Sequence, residues 1–411
     1  MSSRPTSSPK DTLHSKIPRL SFSGFLKHDI FYDTRQTVNA REALVTLYPE
    51  KVELDAENRD INARPGFNML NIHSRLRANL YGPSVLGARS EALIEADFYG
   101  NENKNFSDLN GLRLFNAYLR LMWKTTALQF GQDWHPLSIQ AFFPTTVAFS
   151  AGAPFHPMSR NPQVRLTQSM GKLDLTASVL TQRDFTSTGP EGPGSRYLRD
   201  AAIPNLHLQA VYGKDTSLLS GGVGVDYKQI VPEQFTQGEE GQSFKSDSRL
   251  SSWSATAFLK LVTKPFQLKA QGVYAQNGYD QLMLGGYAKS SMADLRTGES
   301  TFTNLNTVSG WMDIQTNRTR RLDVGLFSGY TQNLGAFKDI NGPIYARGAD
   351  IQAAYRLAPR IIYTVKNISF SMEGEHTTAW YGTANGDGKG IVTDTYTVSN
   401  FRTLVSTRYT F

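Results

Sequence analysis

Apolar and polar residues alternate one by one along most of this chain, the period of a β-strand with one greasy and one wet face. Between Phe67 and Gly82, Leu70, Ile72, Leu76, Ala78 and Leu80 share one face, and Asn71, His73, Arg75, Arg77 and Asn79 share the other. A helix would mix the two sets around its circumference. Ala92, Ile94, Ala96 and Phe98 alternate in the same way with Glu91, Glu95 and Asp97. Phe115, Ala117, Leu119, Leu121 and Trp123 alternate with Asn116, Tyr118, Arg120 and Lys124. The pattern predicts about sixteen strands, near 20–33, 67–82, 90–99, 111–123, 126–133, 161–170, 173–183 and 204–212 in the first half. The second half adds 217–228, 250–262, 265–276, 305–315, 320–330, 344–357, 361–375 and 400–411.

The connections alternate too. Those at 34–66, 100–110, 134–160, 184–203, 229–249, 277–304, 331–343 and 376–399 are long. Those at 83–89, 124–125, 171–172, 213–216, 263–264, 316–319 and 358–360 are short. Outer-membrane barrels join their strands in this way, by short periplasmic turns and long outer loops. Short turns force neighbouring strands to run antiparallel. The fold class expected is therefore all-β: a transmembrane, antiparallel, up-and-down β-barrel with both ends in the periplasm.

Period two alone does not separate such a barrel from a soluble sandwich, whose faces are exchanged. Three features point to the barrel. Arg75, Arg77, Glu95 and Arg120 put bare charge on the polar face, as a wet lumen requires. Phe98, Tyr99, Trp123, Trp134, Tyr274, Tyr330 and Tyr409 stand at strand ends, where an interfacial girdle is expected. The last strand, NFRTLVSTRYTF, carries Phe401, Val405, Tyr409 and Phe411 on one face.

Composition agrees. The 411 residues are only 39% hydrophobic, and no apolar run is long enough for a transmembrane helix. Cysteine is absent, which removes disulfides and thiolate chemistry. With 43 Lys and Arg against 36 Asp and Glu, the formal charge is +7. Residues 1–19 are polar and rich in Pro and Ser, without the apolar core of a secretory signal. They are expected to form a disordered periplasmic tail before a barrel of residues 20–411, with any signal peptide already removed or absent.

Several motifs go further. LIEADFYG at 93–100, LRLFNAYLRL at 112–121, LQFGQDWHPL at 128–137 and SAGAPFHPMSRNPQVRLTQ at 150–168 follow one another. Their order resembles the DcaP-like trimeric outer-membrane porins. WHP, GAPF and SRNPQ, with APRIIYTVKNISFSMEGEHTTAWYG at 358–382, are similar to porin-like proteins of Bacteroidota. The resemblance covers about 20–411 and is specific in 93–168 and 358–411. It implies a Gram-negative outer-membrane diffusion channel, sixteen-stranded and trimeric, in a family some of whose members favour small anionic solutes. Relatives often carry an N-terminal coiled coil, and residues 1–19 show no heptads.

Loop 134–160 is the expected constriction, folding inward on the strength of its length, its few charges and its Pro, Phe and small residues; packing over a protomer interface or the outer mouth is the alternative. His135, Phe142, Phe143 and Phe155 are its candidate lining. Arg75, Arg77, Arg120 and Arg165, with Glu91, Glu95, Asp97 and His73, are the expected pore lining. Facing rows of opposite sign would set a transverse field that orients solutes. Arginine suits carboxylates and phosphates because its planar fork donates two parallel hydrogen bonds. Simple pairing of these charges across strands is the alternative.

His73, His135 and His156 look too scattered for metal ligation, and the outer-loop acids Asp55, Glu57, Asp60, Glu239, Glu240 and Asp387 lack EF-hand spacing. No cofactor, metal or nucleic-acid partner is expected. Ser169, Ser178 and Ser254 have no triad context, so no enzyme is expected either. Two functions remain. One is a porin for small hydrophilic, preferably anionic solutes. The other is a structural or accessory barrel in a larger outer-membrane complex. In both, membrane lipid and lipopolysaccharide are the expected surroundings, and other outer-membrane proteins are further candidate partners.

Overall fold

The first and last strands pair, from Phe25 opposite Thr410 to Asp33 opposite Arg402, so the sheet closes on itself. The computed structural model describes residues 19–100, 110–150, 152–213, 217–317 and 321–411. The barrel strands are β1 (Arg19–Asp33), β2 (Gly66–Leu70 and Arg75–Tyr81), β3 (Arg89–Asp97), β4 (Arg113–Met122) and β5 (Thr126–Trp134). Next come β6 (Arg160–Met170), β7 (Leu173–Leu180), β8 (Asn205–Tyr212), β9 (Leu219–Ile230), β10 (Leu250–Val262) and β11 (Phe266–Gln276). The circle ends with β12 (Glu299–Thr316), β13 (Leu322–Ala336), β14 (Ile351–Val365), β15 (Ile368–Thr383) and β16 (Thr393–Thr410). Each pairs antiparallel with its sequence neighbours.

The faces are disposed as hydrocarbon demands, since closure leaves no backbone edge without a partner. Leu76, Leu80, Ile94, Leu119, Phe130 and Leu166 stand on the outer surface, 36% to 52% exposed. Asp29, Glu95, Asp97, Asn116 and Arg360 are buried on the inner face. No described helix is long and apolar enough to cross a membrane.

All sixteen expected strands are present, with ends that shift late in the chain. The expected turn at 358–360 is strand, and the true turn is Lys366–Asn367 between β14 and β15. Pro359, which suggested the turn, points outward, and the described ladder to β15 skips Ala358 and Pro359 without a change of register. The expected tail, Arg19 excepted, lies outside the described residues.

Two irregularities turn apolar residues inward that strict alternation puts on the lipid face. A bulge opposite Glu95 and Ala96 brings Phe115 inside, 1% exposed. The break in β2 at 71–74 buries Ile72. Two expected girdle residues are also internal: Tyr99 stacks on Phe149 at 4.8 Å, and Trp134 packs edge-on to Phe115 and Phe143. Both sit where long loops enter the barrel. Tyr330 and Tyr409 do face outward.

The long loops also carry structure of their own. Thr37–Ala40 and Val45–Pro49 pair as a hairpin between β1 and β2. Gly285–Asp294 pairs with the outer part of β12 and with Ile344–Arg347, extending the wall above that side.

Candidate channel constriction

Loop 135–159, between β5 and β6, folds into the lumen and is fixed there by polar wall residues. At its start Gln209 of β8 donates to Pro136 O (3.0 Å) and Gln271 of β11 to Leu137 O (2.9 Å). Lys269 of β11 donates to Phe143 O (2.7 Å), and the Thr145 N–H donates to Asp313 of β12 (2.8 Å). Glu373 of β15 accepts the N–H groups of Val147 and Ala148 (2.9 and 2.8 Å), while Lys27 of β1 donates to Val147 O (2.7 Å). On the return, Arg356 of β14 donates to Ala153 O (2.9 Å). A buried loop backbone needs such partners, because no water replaces them.

The loop's aromatics fill the space between these anchors. Phe142 packs edge-on to Phe258 of β10 at 4.7 Å, and Phe143 lies against Trp134 and His156, each at 4.8 Å. Phe155 covers Gly329 of β13, where a Cβ would come within 2.5 Å of its ring. His156 stacks flat on Trp311 of β12.

A second loop joins it, which sequence reading did not foresee. Leu44, Val45, Leu47 and Tyr48 of the 37–49 hairpin enter the same apolar cluster as Phe149, Phe155 and Trp311. Arg356 donates to Thr46 O and Leu47 O, and Tyr381 to Pro49 O. The apolar run VTLYP inside a loop was the available signal.

The described anchors of loop 135–159 lie on β1, β8, β11, β12, β14 and β15, and the charged faces of β2 to β6 stand beside it. Here the expected lining residues are brought together, but as cross-strand pairs. The acidic row of β3 runs between the arginines of β2 and β4, so the expected confrontation of opposite rows gives way to interleaving. Glu95 pairs with Arg77 (3.0 Å) and Arg75 (3.5 Å) and accepts from Asn116 (2.9 Å). Arg75 also lies 3.4 Å over the Phe115 ring, a cation–π contact. Arg120 stands 3.6 Å from Glu91 and donates to Gln129 (2.9 Å). Arg165 donates to Gln163 (3.0 Å) and lies 3.7 Å from Asp133. The side chains of Arg77 and Arg120 stay 38% and 31% exposed.

His73 lies elsewhere, between Lys27 (3.1 Å) and Phe149 (4.5 Å), and supports the loop tip. Asp97 belongs to an outer cluster and is bound bidentately by Arg113 (2.9 and 2.7 Å). That cluster adds Arg41, Arg160 and Asp184, none of them singled out in the sequence. Asp184, in the loop after β7, accepts from Arg41 (3.0 Å), Arg113 (3.2 Å) and Arg160 (3.1 and 2.7 Å). Burial works to raise its carboxyl, but Arg160, Arg113 and Arg41 outweigh it and hold the group below the usual carboxylate range.

His135 is not as isolated as its sequence neighbourhood suggested. Its Nε2 lies 3.6 Å from Asp226 of β9, which also faces His207 Nδ1 of β8 at 3.1 Å. Asn205 donates to both Asp226 oxygens (2.9 Å each). The Leu137 N–H donates to His135 Nδ1 (3.1 Å), which leaves Nε2 to carry the ring proton toward Asp226. The three residues form a buried polar cluster at the loop's first turn. Burial holds the His135 imidazole down at about 4, against the pull of Asp226.

No protein-family model and no curated protein sequence matches the chain. Solved structures do. The outer membrane channel DcaP of Acinetobacter baumannii is similar over 96% of this chain and 97% of its own, with a TM-score of 0.67 and 18% identity. The anion-selective porin from Comamonas acidovorans is similar over 96% and 100% (TM-score 0.55, 11% identity). OmpF of Salmonella typhi is similar over 95% and 97% (TM-score 0.53, 13% identity). At these identities the likeness is one of fold: the chain is built as the sixteen-stranded porin barrels of outer membranes are.

Proposed function

We propose that this protein is an outer-membrane porin through which small hydrophilic solutes, anions in preference, diffuse past an inward-folded loop. The observation that carries this reading is the strip of wall on β2 to β6. There Arg77 and Arg120 stay partly open beside a loop whose backbone is tied to other strands. Arginines that keep spare donors attract and orient carboxylates and phosphates, while the loop sets the size limit. The neighbouring acids temper this preference without cancelling it, because paired charges still shape the field.

The protomers associate as a homotrimer in this reading. On the outer face of β6 to β9, Leu175, Leu208, Val223 and Val225 surround Ala177 and Ala210 in an apolar hollow of about 460 Å³. Small residues there let a second barrel approach closely. Lipid covers the remaining apolar belt, and the long loops meet lipopolysaccharide.

The test is a charge reversal. Wild-type protein in a salt gradient should show a reversal potential displaced toward the anion side, and Arg77→Glu with Arg120→Glu should move it toward the cation side. An unchanged potential would remove these residues from the permeation path.

A specific observation favours a second reading, an accessory barrel of a larger complex. The 37–49 hairpin and loop 135–159 share one apolar cluster inside the lumen, which is how a plugged barrel is built. Recovery from native membranes with stoichiometric partners and no conductance would select it.

A further inference from the structure

The short-turn end of the barrel carries cations without counterions. Lys124 lies in the turn between β4 and β5, Lys172 between β6 and β7, and Lys264 between β10 and β11. Arg321 closes the turn between β12 and β13, and Lys366 opens the one between β14 and β15. All five are exposed, and among the described residues none makes an ion pair. Over all seven short connections the sequence holds eight Lys or Arg against one acid, Asp215. Asp174 and Asp323, the first acids of β7 and β13, alternate with the outward Leu175 and Val324 and so face the lumen. The long-loop end differs: there Arg59 meets Asp55 (2.9 Å), Lys51 meets Asp350 (3.2 Å) and Arg196 meets Glu191 (2.8 Å).

These cations also stand at a defined level. Tyr212, Tyr363 and Tyr409 face outward at the short-turn ends of β8, β14 and β16. Trp123 directly precedes Lys124, and its indole N–H donates to Leu86 O in the turn between β2 and β3 (3.0 Å). Outward aromatic rings mark the headgroup level of a membrane. A long basic side chain just past such a ring carries its charge to the lipid phosphates. The turns involved run from β4 to β15, so the charge is spread around most of the circumference. A protein docked on one side would neutralise part of this belt. Lipid surrounds all of it.

We propose that the short-turn rim is a docking surface for anionic phospholipid headgroups, which gather around the barrel in preference to neutral ones. Short turns of outer-membrane barrels face the periplasm, so the lipids concerned are those of the inner leaflet. The lysines and Arg321 donate to phosphodiester oxygens, and the attraction adds up along the belt because each charge acts within a screening length of the headgroups. The belt thereby fixes the depth at which the barrel sits. The inference needs a barrel in a membrane; it does not need the barrel to conduct.

The test folds the full chain into vesicles of equal parts phosphatidylglycerol and phosphatidylethanolamine, extracts it in mild detergent and quantifies the lipids that stay bound. Wild type should retain phosphatidylglycerol over phosphatidylethanolamine by about threefold or more relative to the vesicle. Extraction at about 1 M salt should bring that ratio back toward the vesicle's, a result that needs no variant. So should a combined Lys124→Gln, Lys172→Gln, Lys264→Gln and Lys366→Asn protein. Asparagine is chosen at 366 because the backbone there is left-handed (φ 51°). Lys245→Gln with Arg296→Gln, which removes exposed cations from the long-loop end, should leave the ratio unchanged. Folding of each variant is read from heat-modifiable migration in gels, and Lys124→Gln with Lys264→Gln carries the result, as a partial loss, if the fourfold variant fails to fold. A wild-type ratio equal to the vesicle's, or an enrichment that survives in the rim variants, would overturn the proposal. Inorganic phosphate that strips the lipid more than sodium chloride of equal ionic strength would overturn it too, in favour of a site for free phosphate. Enrichment as expected in a barrel that passes no current would sink the porin reading and leave the lipid belt standing.

Discussion

Arg360 of β14 reaches past β13 to grip Asp313 of β12, with Nη1 and Nη2 at 2.6 and 3.1 Å from its two oxygens. Gly325 on the intervening strand makes room: a Cβ there would lie 2.6 Å from the guanidinium carbon. Asp313 in turn accepts the Thr145 N–H, so this ion pair ties the inward loop to two strands, β12 and β14, across a third. Both side chains are about 1% exposed, so breaking the pair strands a buried charge, at a cost of about 3 to 5 kcal/mol. Asp313→Asn should lower the temperature at which the barrel loses its folded gel mobility. Gly325→Val, which touches neither charge, should do the same. A Gly325→Val protein as stable as wild type would show that the guanidinium does not need this gap.

Glu373 is the loop's other main anchor. A carboxylate accepts both the Val147 and Ala148 N–H groups, whereas the single carbonyl of a glutamine presents fewer acceptor sites and no charge. Glu373→Gln should therefore weaken docking by about 1 to 3 kcal/mol. The expected readout is greater open-channel current noise, with new protease sensitivity inside 143–150. Identical noise and an identical digest would mean that the loop is held without this group.

Loop docking also carries a pH signature through His156. Burial pushes its imidazole from 6.5 down to about 4; the Pro157 carbonyl pulls the other way, and Lys269 adds to the depression. The docked loop thus keeps the ring neutral, whereas a released loop takes up a proton near 6.5. The stability due to this ring is complete above pH 6.5 and is lost as pH falls toward 4. Thermal stability should decline over that window, and less steeply in His156→Phe, which keeps the stack on Trp311. Parallel pH profiles for the two proteins would assign the decline to other groups.

The barrel was legible because hydrocarbon outside and polar contacts inside constrain every second residue along each strand. Where the chain departs from strict pairing, reading failed for local reasons. The bulge that brings Phe115 inside leaves no mark in the alternation, and Pro359 signals a turn that an outward-facing position makes unnecessary. The inward course of loop 135–159 was visible in its Phe, Pro and small residues. Its companion, the 37–49 hairpin, was hidden among polar neighbours. The Asp184 cluster was out of reach for another reason: its partners lie 24, 71 and 143 residues away in sequence, and only loop conformation brings them together.

The central claim is that the polar interior conducts. Single-channel recording of the purified wild-type protein in a planar lipid bilayer tests it most directly. The account predicts discrete, ohmic current steps that grow with salt concentration and reverse on the anion side of zero in a salt gradient. A folded barrel that inserts and passes no current would contradict it.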